Sequence, residues 1–208
     1  MSTPAGFDIL LATSNPGKRR EFLQLLPPAV SVKTLDDVHV TLPEETGATF
    51  AENAALKAIA ASAQSGLLTL ADDSGLEVAA LGGDPGVRSA RYAGVPPSDD
   101  KNRAALLAAL RQVPAAARQA RFVCAVSLAR GGTLMAEAEG ICVGIIASAP
   151  AGLNGFGYDP LFQLADGRAM AELPATEKNE ISHRARAYRA ILPALLAAIE
   201  HDPSTGAR

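Results

Sequence analysis

"LLTLADDSGLEVAALGGDPGVRSARYAG", residues 67–94, is the stretch on which the reading of this chain turns. Its opening run, Leu67–Ala71, is apolar, short enough for a buried strand, and bounded by Gly66. That strand closes on two adjacent carboxylates, Asp72 and Asp73, followed by Ser74-Gly75 and a glycine-rich loop. In open α/β sheets ligands gather beyond the carboxyl ends of strands. Neighbouring strand residues face opposite ways, so one acid can meet a cation while the other supports the loop. A solvated, capped turn accounts for the same residues, and this stretch alone leaves both readings open. Haloacid-dehalogenase-type phosphatases also place Asp after an apolar strand, but Ser74 and Gly75 stand where their second Asp would follow.

Upstream, "TFAENAALKAIAASAQ" (49–64) opens with Thr49 and Glu52 at the spacing of a capping box, which predicts a helix beginning there. "FDILLAT" (7–13), Asn-Pro-Gly and "KRREFLQLL" read as strand, turn and helix. Downstream, Ser98 caps a predicted helix over 97–113, with acids in its first turn. "ARFVCAVSLAR" and "TLMAEAEGICVGIIAS" flank Gly131-Gly132 and predict a hairpin. "AGLNGFGYDPLFQLADG" (151–167) is a glycine-rich loop ending in a short apolar run, and 181–199 is a closing helix interrupted at Pro193. Helices alternating with strands, then antiparallel signals, predict an α/β fold: a mixed β-sheet flanked by helices. The absence of a linker, repeat or low-complexity block favours one unit over residues 1–208, with two lobes and a frayed tail at 202–208.

The 208 residues are 48% hydrophobic and 20% charged, the balance of a globular chain able to bury a core. Nineteen basic against 22 acidic residues, with no Trp and no basic stripe, argue against a nucleic-acid surface. Cys124 and Cys142 lie in apolar runs at no ligand spacing and read as buried thiols of a reducing compartment. Without a signal peptide or an apolar run near the roughly 18 residues of a membrane span, a cytoplasmic protein is expected, with no membrane partner.

Four further stretches carry candidate chemistry. In "TSNPGK" (13–18) the start of a helix and Lys18 suit an anion, although an ordinary turn capped by Ser14 or Asn15 fits as well. Glu44 and Glu45, in "PEETG", suit a divalent cation or a solvated loop, and Asn53 and Lys57 share one helix face. "NGFGYDP" (154–160) suits a stacked ring and backbone contacts to a base edge, or a tight turn with Phe156 buried. In "SHRARA" (182–187), His183, Arg184 and Arg186 crowd a helix start where cations oppose the macrodipole. An anionic ligand there, with Lys178 just upstream, would reverse the penalty. Positive groups, carboxylates and a glycine-aromatic loop together fit a polyphosphate, a metal ion and a base.

The motifs "LATSNPGK", "EETGATFAENAALKA", "ADDSGLEV", "GGDPGVRSARYAG", "FGYDPLF" and "ISHRARA" resemble, in order and spacing, the inosine triphosphatase family. These are the Ham1-like pyrophosphatases of non-canonical purine nucleoside triphosphates. The resemblance implies a long mixed sheet, two lobes around a cleft, a homodimer, and Mg²⁺-dependent hydrolysis of ITP, dITP and XTP to the monophosphate and pyrophosphate, with Mn²⁺ a possible substitute. It implies that Thr13, Ser14, Asn15, Pro16, Gly17 and Lys18 cradle phosphates, that Asp73 is the catalytic carboxylate and a metal ligand, and that Glu44 is the second ligand. It further implies that Lys57 and Ser74 touch substrate, that Phe156, Gly157, Tyr158 and Asp159 take the base and its neighbourhood, and that Lys178, His183 and Arg184 complete the pocket. Arg91 is implied near the phosphates or the dimer contact. A Maf-type pyrophosphatase, disfavoured by "FGYDP" and "SHR", and a non-catalytic nucleotide sensor are the rival readings.

Overall fold

The computed structural model describes residues 7–201; the expected fraying of 202–208 lies outside the described residues. In chain order the elements are β1 (Phe7–Leu11), α1 (Pro16–Leu25), β2 (Val30–Lys33), α2 (Leu35–Val38), α3 (Phe50–Ser65), β3 (Leu68–Val78), α4 (Asp99–Ala109), β4 (Gln119–Arg130), β5 (Thr133–Ile146), β6 (Phe162–Gln163), α5 (Ala175–Ile181) and α6 (His183–Glu200). Among the described residues one six-stranded sheet has the order β2-β1-β3-β4-β5-β6. β1 pairs in parallel with β2 and β3, while β5 and β6 are antiparallel, so the sheet is mixed as expected.

Local chemistry explains the element ends that position the site. At α1, Asn15 Oδ1 accepts from the Lys18 N–H at 3.0 Å and Pro16 stands in the first turn, where its missing N–H costs nothing. At α3 the expected capping box forms: Thr49 Oγ1 accepts from the Glu52 N–H and Glu52 Oε2 from the Thr49 N–H, at 3.1 and 3.2 Å. Gly66, with φ 71°, ends that helix in the left-handed region. Gly131 and Gly132, with φ 54° and 81°, make the two-residue turn between β4 and β5.

The chain divides into two compact units. One gathers residues up to Asp73, 125–140 and those from Arg184; the other holds 74–124 and 141–183, so β3, β4 and β5 contribute to both. In the first unit one cluster joins Ala58 and Ala61 of α3 to Leu10, Ala71 and Ala129 of the strands, and Ile9, Leu11, Phe22 and Leu70 are fully buried in the same unit. The second has a core around Leu76, Leu106, Phe122, Phe162 and Met170, with the Phe122 and Phe162 ring centroids 4.4 Å apart.

Two expectations change. Asp72 and Asp73 do not close a strand at Ala71: β3 runs on through both to Val78. Asp, Ser and Gly favour turns, but buried Leu76 and Val78 keep a strand alternation beyond them and the two charges find partners inside. The closing helix is α6, as expected over nearly the same residues, but it runs on through Pro193 without the expected interruption, and a separate short helix, α5, precedes it across Ser182. The apolar run after the glycine loop contributes the short strand β6.

Candidate active site

The carboxylates of β3 enter the interior of the first unit, Asp72 with no exposure and Asp73 with 5%. Asp72 lies 3.2 Å from Lys18 Nζ and 3.4 Å from an Arg184 guanidinium nitrogen. Asp73 lies 3.7 Å from the same Lys18 and 3.9 Å from Lys57 Nζ, and accepts a hydrogen bond from Asn53 Nδ2 at 3.1 Å. Asn53 and Lys57 share the buried face of α3, one turn apart, so a helix otherwise packed through alanine delivers two polar groups to Asp73. Lys57 also reaches Glu45 at 2.5 Å.

Burial is the largest influence on both acids and works against their ionisation. At Asp72 the charges of Lys18, Arg184 and Lys57 overcome it and hold the carboxyl far below the ordinary range. At Asp73 burial prevails: with Glu45 and Asp72 adding negative charge, its carboxyl is raised despite Lys18 and Lys57. Burial likewise favours the neutral amine of Lys57, but Asp72, Asp73 and Glu45 together raise its pKa and keep it charged. Two adjacent acids therefore differ in kind. Asp72 is a fixed anion that orients Lys18; Asp73 is a carboxylate with enhanced affinity for a proton or a cation.

Arg184, 1% exposed, also pairs with Glu21 of α1, and its guanidinium lies over the Phe22 ring, 5.7 Å from the centroid. The anion that answers the cation at the start of α6 is thus the protein's own.

The second unit orders the 154–159 loop by hydrogen bonds to its own elements. Asp159 Oδ2 accepts from the Phe156 N–H at 2.9 Å and from Lys178 Nζ of α5 at 2.5 Å, and Lys178 Nζ lies 5.2 Å from the Phe156 ring centroid. Gly155 permits this: a Cβ there would stand 2.0 Å from Asp159 Oδ2. Tyr158 is buried, and its hydroxyl donates to the Ser89 carbonyl at 2.8 Å; burial pushes that hydroxyl's pKa well up. His183, 5% exposed, stacks on Phe122 with centroids 4.8 Å apart.

A sequence model of the Ham1 family matches residues 9–194. The chain belongs to the Ham1 family. Among similar curated proteins, the dITP/XTP pyrophosphatase of Geobacillus kaustophilus is 53% identical over 184 residues, 86% of this chain and 90% of that protein. The protein of the same name from Thermus thermophilus is 47% identical over 191 residues, 91% and 92% of the two chains. A solved Ham1 protein from Coxiella burnetii superposes with a TM-score of 0.83 at 40% identity, covering 92% of this chain and 100% of that one.

Within this Ham1-family chain the implied site residues fall into two groups. Thr13 to Lys18, Lys57, Asp73 and Arg184 gather in the first unit; Ser74, Phe156 to Asp159, Lys178 and His183 belong to the second. Within the phosphate-loop candidate, Thr13 Oγ1 accepts from the Asn15 N–H at 3.2 Å, while Ser14 and Pro16 are exposed. The two members of the acidic pair differ in their surroundings. Glu44 is exposed, whereas Glu45 holds Lys57 and contributes to raising the Asp73 carboxyl. Sequence reasoning missed Glu21, which reads as one more polar residue of an amphipathic helix, and gave Asn53 no partner. It also missed Asp99 and Arg103 of α4, which bond the Gly157 backbone.

Proposed function

We propose that this chain hydrolyses non-canonical purine nucleoside triphosphates (ITP, dITP and XTP) to the monophosphate and pyrophosphate. The observation that carries the reading is Asp73: a buried carboxylate held by Asn53 within 4 Å of two lysines, with its proton affinity raised. A base of that kind accepts the proton of a water whose oxygen bonds to the α-phosphorus, as the bond from that phosphorus to the bridging oxygen breaks and pyrophosphate leaves. Lys18, oriented by Asp72, and Lys57 offset charge on the phosphates. The first turn of α1 holds no acid, so its N-terminal dipole remains available to an anion.

The donor set suits Mg²⁺, with Mn²⁺ as a substitute. Glu21, Glu45, Asp72 and Asp73 outnumber Lys18, Lys57 and Arg184, and the mutual repulsion of Asp73 and Glu45 is what a divalent cation relieves. Asp73 and Glu45 are the carboxylates that would hold it. Glu45 takes the place that the sequence reading assigned to Glu44. Bound there, the metal supplies charge neutralisation at the triphosphate. Glu45→Gln is expected to raise the Mg²⁺ concentration for half-maximal rate by roughly tenfold or more, since even outer-shell changes cost about that much. Glu44→Gln leaves it within about twofold, as an exposed substitution. A metal titration of both variants checks the assignment, and the reverse ranking restores Glu44.

The base falls to the loop of the second unit. Inosine and xanthine carry a 6-carbonyl where adenine carries an amine, so one well-aimed donor discriminates by roughly ten- to a hundredfold. The N–H groups of Phe156 and Gly157 are already engaged within the protein. The Phe156 ring, which needs no hydrogen bond, is therefore the main group assigned to the base, with Lys178, which also bonds Asp159, and His183 as the polar side chains of the same unit. The cytoplasmic setting is supported by Cys124 and Cys142, both buried and neither in a disulfide, and the homodimer by the family resemblance. Among the described residues no helix is long and apolar enough to cross a membrane.

The deciding experiment is product analysis with ITP, dITP, XTP, GTP and ATP, in Mg²⁺ and in EDTA. IMP and pyrophosphate are expected from ITP in Mg²⁺, little from ATP or GTP, and none in EDTA. IDP and orthophosphate would overturn the assignment of the bond cleaved.

A further inference from the structure

The apex of the 154–159 loop is held from α4. Asp99 Oδ2 accepts from the Gly157 N–H at 2.7 Å, and Arg103 donates from a guanidinium nitrogen to the Gly157 carbonyl at 2.5 Å. The two side chains are four residues apart, hence on one face of the helix, and engage both polar groups of a single residue. Gly157 adopts φ 61°, a conformation in which a side chain would be strained. The helix itself is moored. Asn102, 2% exposed, accepts from the Ala93 N–H at 2.8 Å and donates to the Ala90 carbonyl at 2.9 Å. Arg103 is steadied in turn by Asp100, and Asp99 sits where the helix dipole favours an anion.

We infer that Asp99 and Arg103 are positioning residues for the purine: by pinning the Gly157 peptide to α4 they set the pose of the Phe156 ring beside it, and so the affinity and selectivity for the base. The inference rests on the proposed function. Its physical basis is the economy of the contacts. Asp99 and its bond are exposed and the Arg103 bond is only part-buried, so the two add little to global stability. What they restrict is the flanking residue Phe156, whose own N–H is tied to Asp159 and whose ring lies beside Lys178. A glycine in the left-handed region with its peptide released would let that ring wander.

The test compares Asp99→Ala and Arg103→Met with the conservative Asp99→Asn, which keeps an accepting oxygen. For each, kcat and KM are measured with ITP and GTP, alongside amide hydrogen exchange across 154–159 and thermal unfolding. The Ala and Met variants are expected to raise KM for ITP roughly three- to tenfold, to keep kcat within about twofold and to narrow the preference for ITP over GTP. Exchange in the loop quickens, Tm stays within about 2 °C, and Asp99→Asn recovers most of the lost affinity. Quicker exchange with unchanged KM and preference would overturn the inference and leave the pair a structural tie. A wild-type protein that leaves ITP uncut would instead overturn the proposed function; unchanged exchange in both variants would then overturn the clamp as well.

Discussion

Asp73→Asn is expected to lower kcat on ITP by about 10²–10⁴-fold, the range that a positioned general base supplies. The substitution preserves size and retains an oxygen able to accept from Asn53 Nδ2, now at 3.1 Å from Asp73. What it removes is the negative charge and the affinity for a proton. The same variant carries a stability signature of opposite sign. Because burial, Glu45 and Asp72 raise the carboxyl pKa in the folded state, stability linked to protonated Asp73 is present at low pH and is lost as pH rises through that folded value. At neutral pH the ionised carboxylate is a burden on the fold. In EDTA the Asp73→Asn variant should therefore unfold at a Tm equal to or above that of the wild type while turnover collapses. Near-normal turnover would remove Asp73 from catalysis. A collapse of both rate and Tm would make the effect one of folding.

Arg184→Met is expected to cost about 3–5 kcal/mol, the penalty of leaving a buried charge without its partner. Here two carboxylates, Glu21 and Asp72, lose the guanidinium that lies between them, and Asp72 has no exposure to solvent. The pH dependence separates this cause from lost packing. Against burial, Lys18, Arg184 and Lys57 depress the Asp72 carboxyl in the wild type. The stability this confers is present above the unfolded value near 3.8 and is lost as pH falls towards the depressed folded value. With one of its three cations removed, the buried Asp72 carboxyl is less depressed and its protonation relieves the variant, so the gap in unfolding free energy is expected to narrow from pH 7 towards pH 4. Denaturant titrations at the two pH values measure it. A gap that stays constant would assign the loss to the packing of the guanidinium on Phe22.

Much of the architecture is written in local chemistry. The capping box at Thr49 and Glu52, the Gly131-Gly132 turn and the Asn-Pro-Gly start of α1 announce their elements because caps and turns depend on residues within three or four positions. The same dependence misleads at the strand carrying Asp72 and Asp73. Read locally, "DDSG" favours a turn; only neighbouring strands and the cations of α1, α3 and α6 make it the middle of β3.

The sequence by itself determined the α/β class, the family resemblance and the segments that carry the site, since each rests on composition, periodicity or ordered motifs. It also placed Asn53 and Lys57 on one face of α3. The tertiary structure alone decided which carboxylate faces which charge: Glu45 rather than Glu44 at Lys57, Glu21 with Asp72 on Arg184, and Asp99 with Arg103 on Gly157. Ionic and hydrogen-bond partners meet across 163 residues for Glu21 and Arg184 and 58 for Asp99 and Gly157. Coulomb's law acts over ångströms of space, and no local pattern encodes which distant parts of a chain will come within that range.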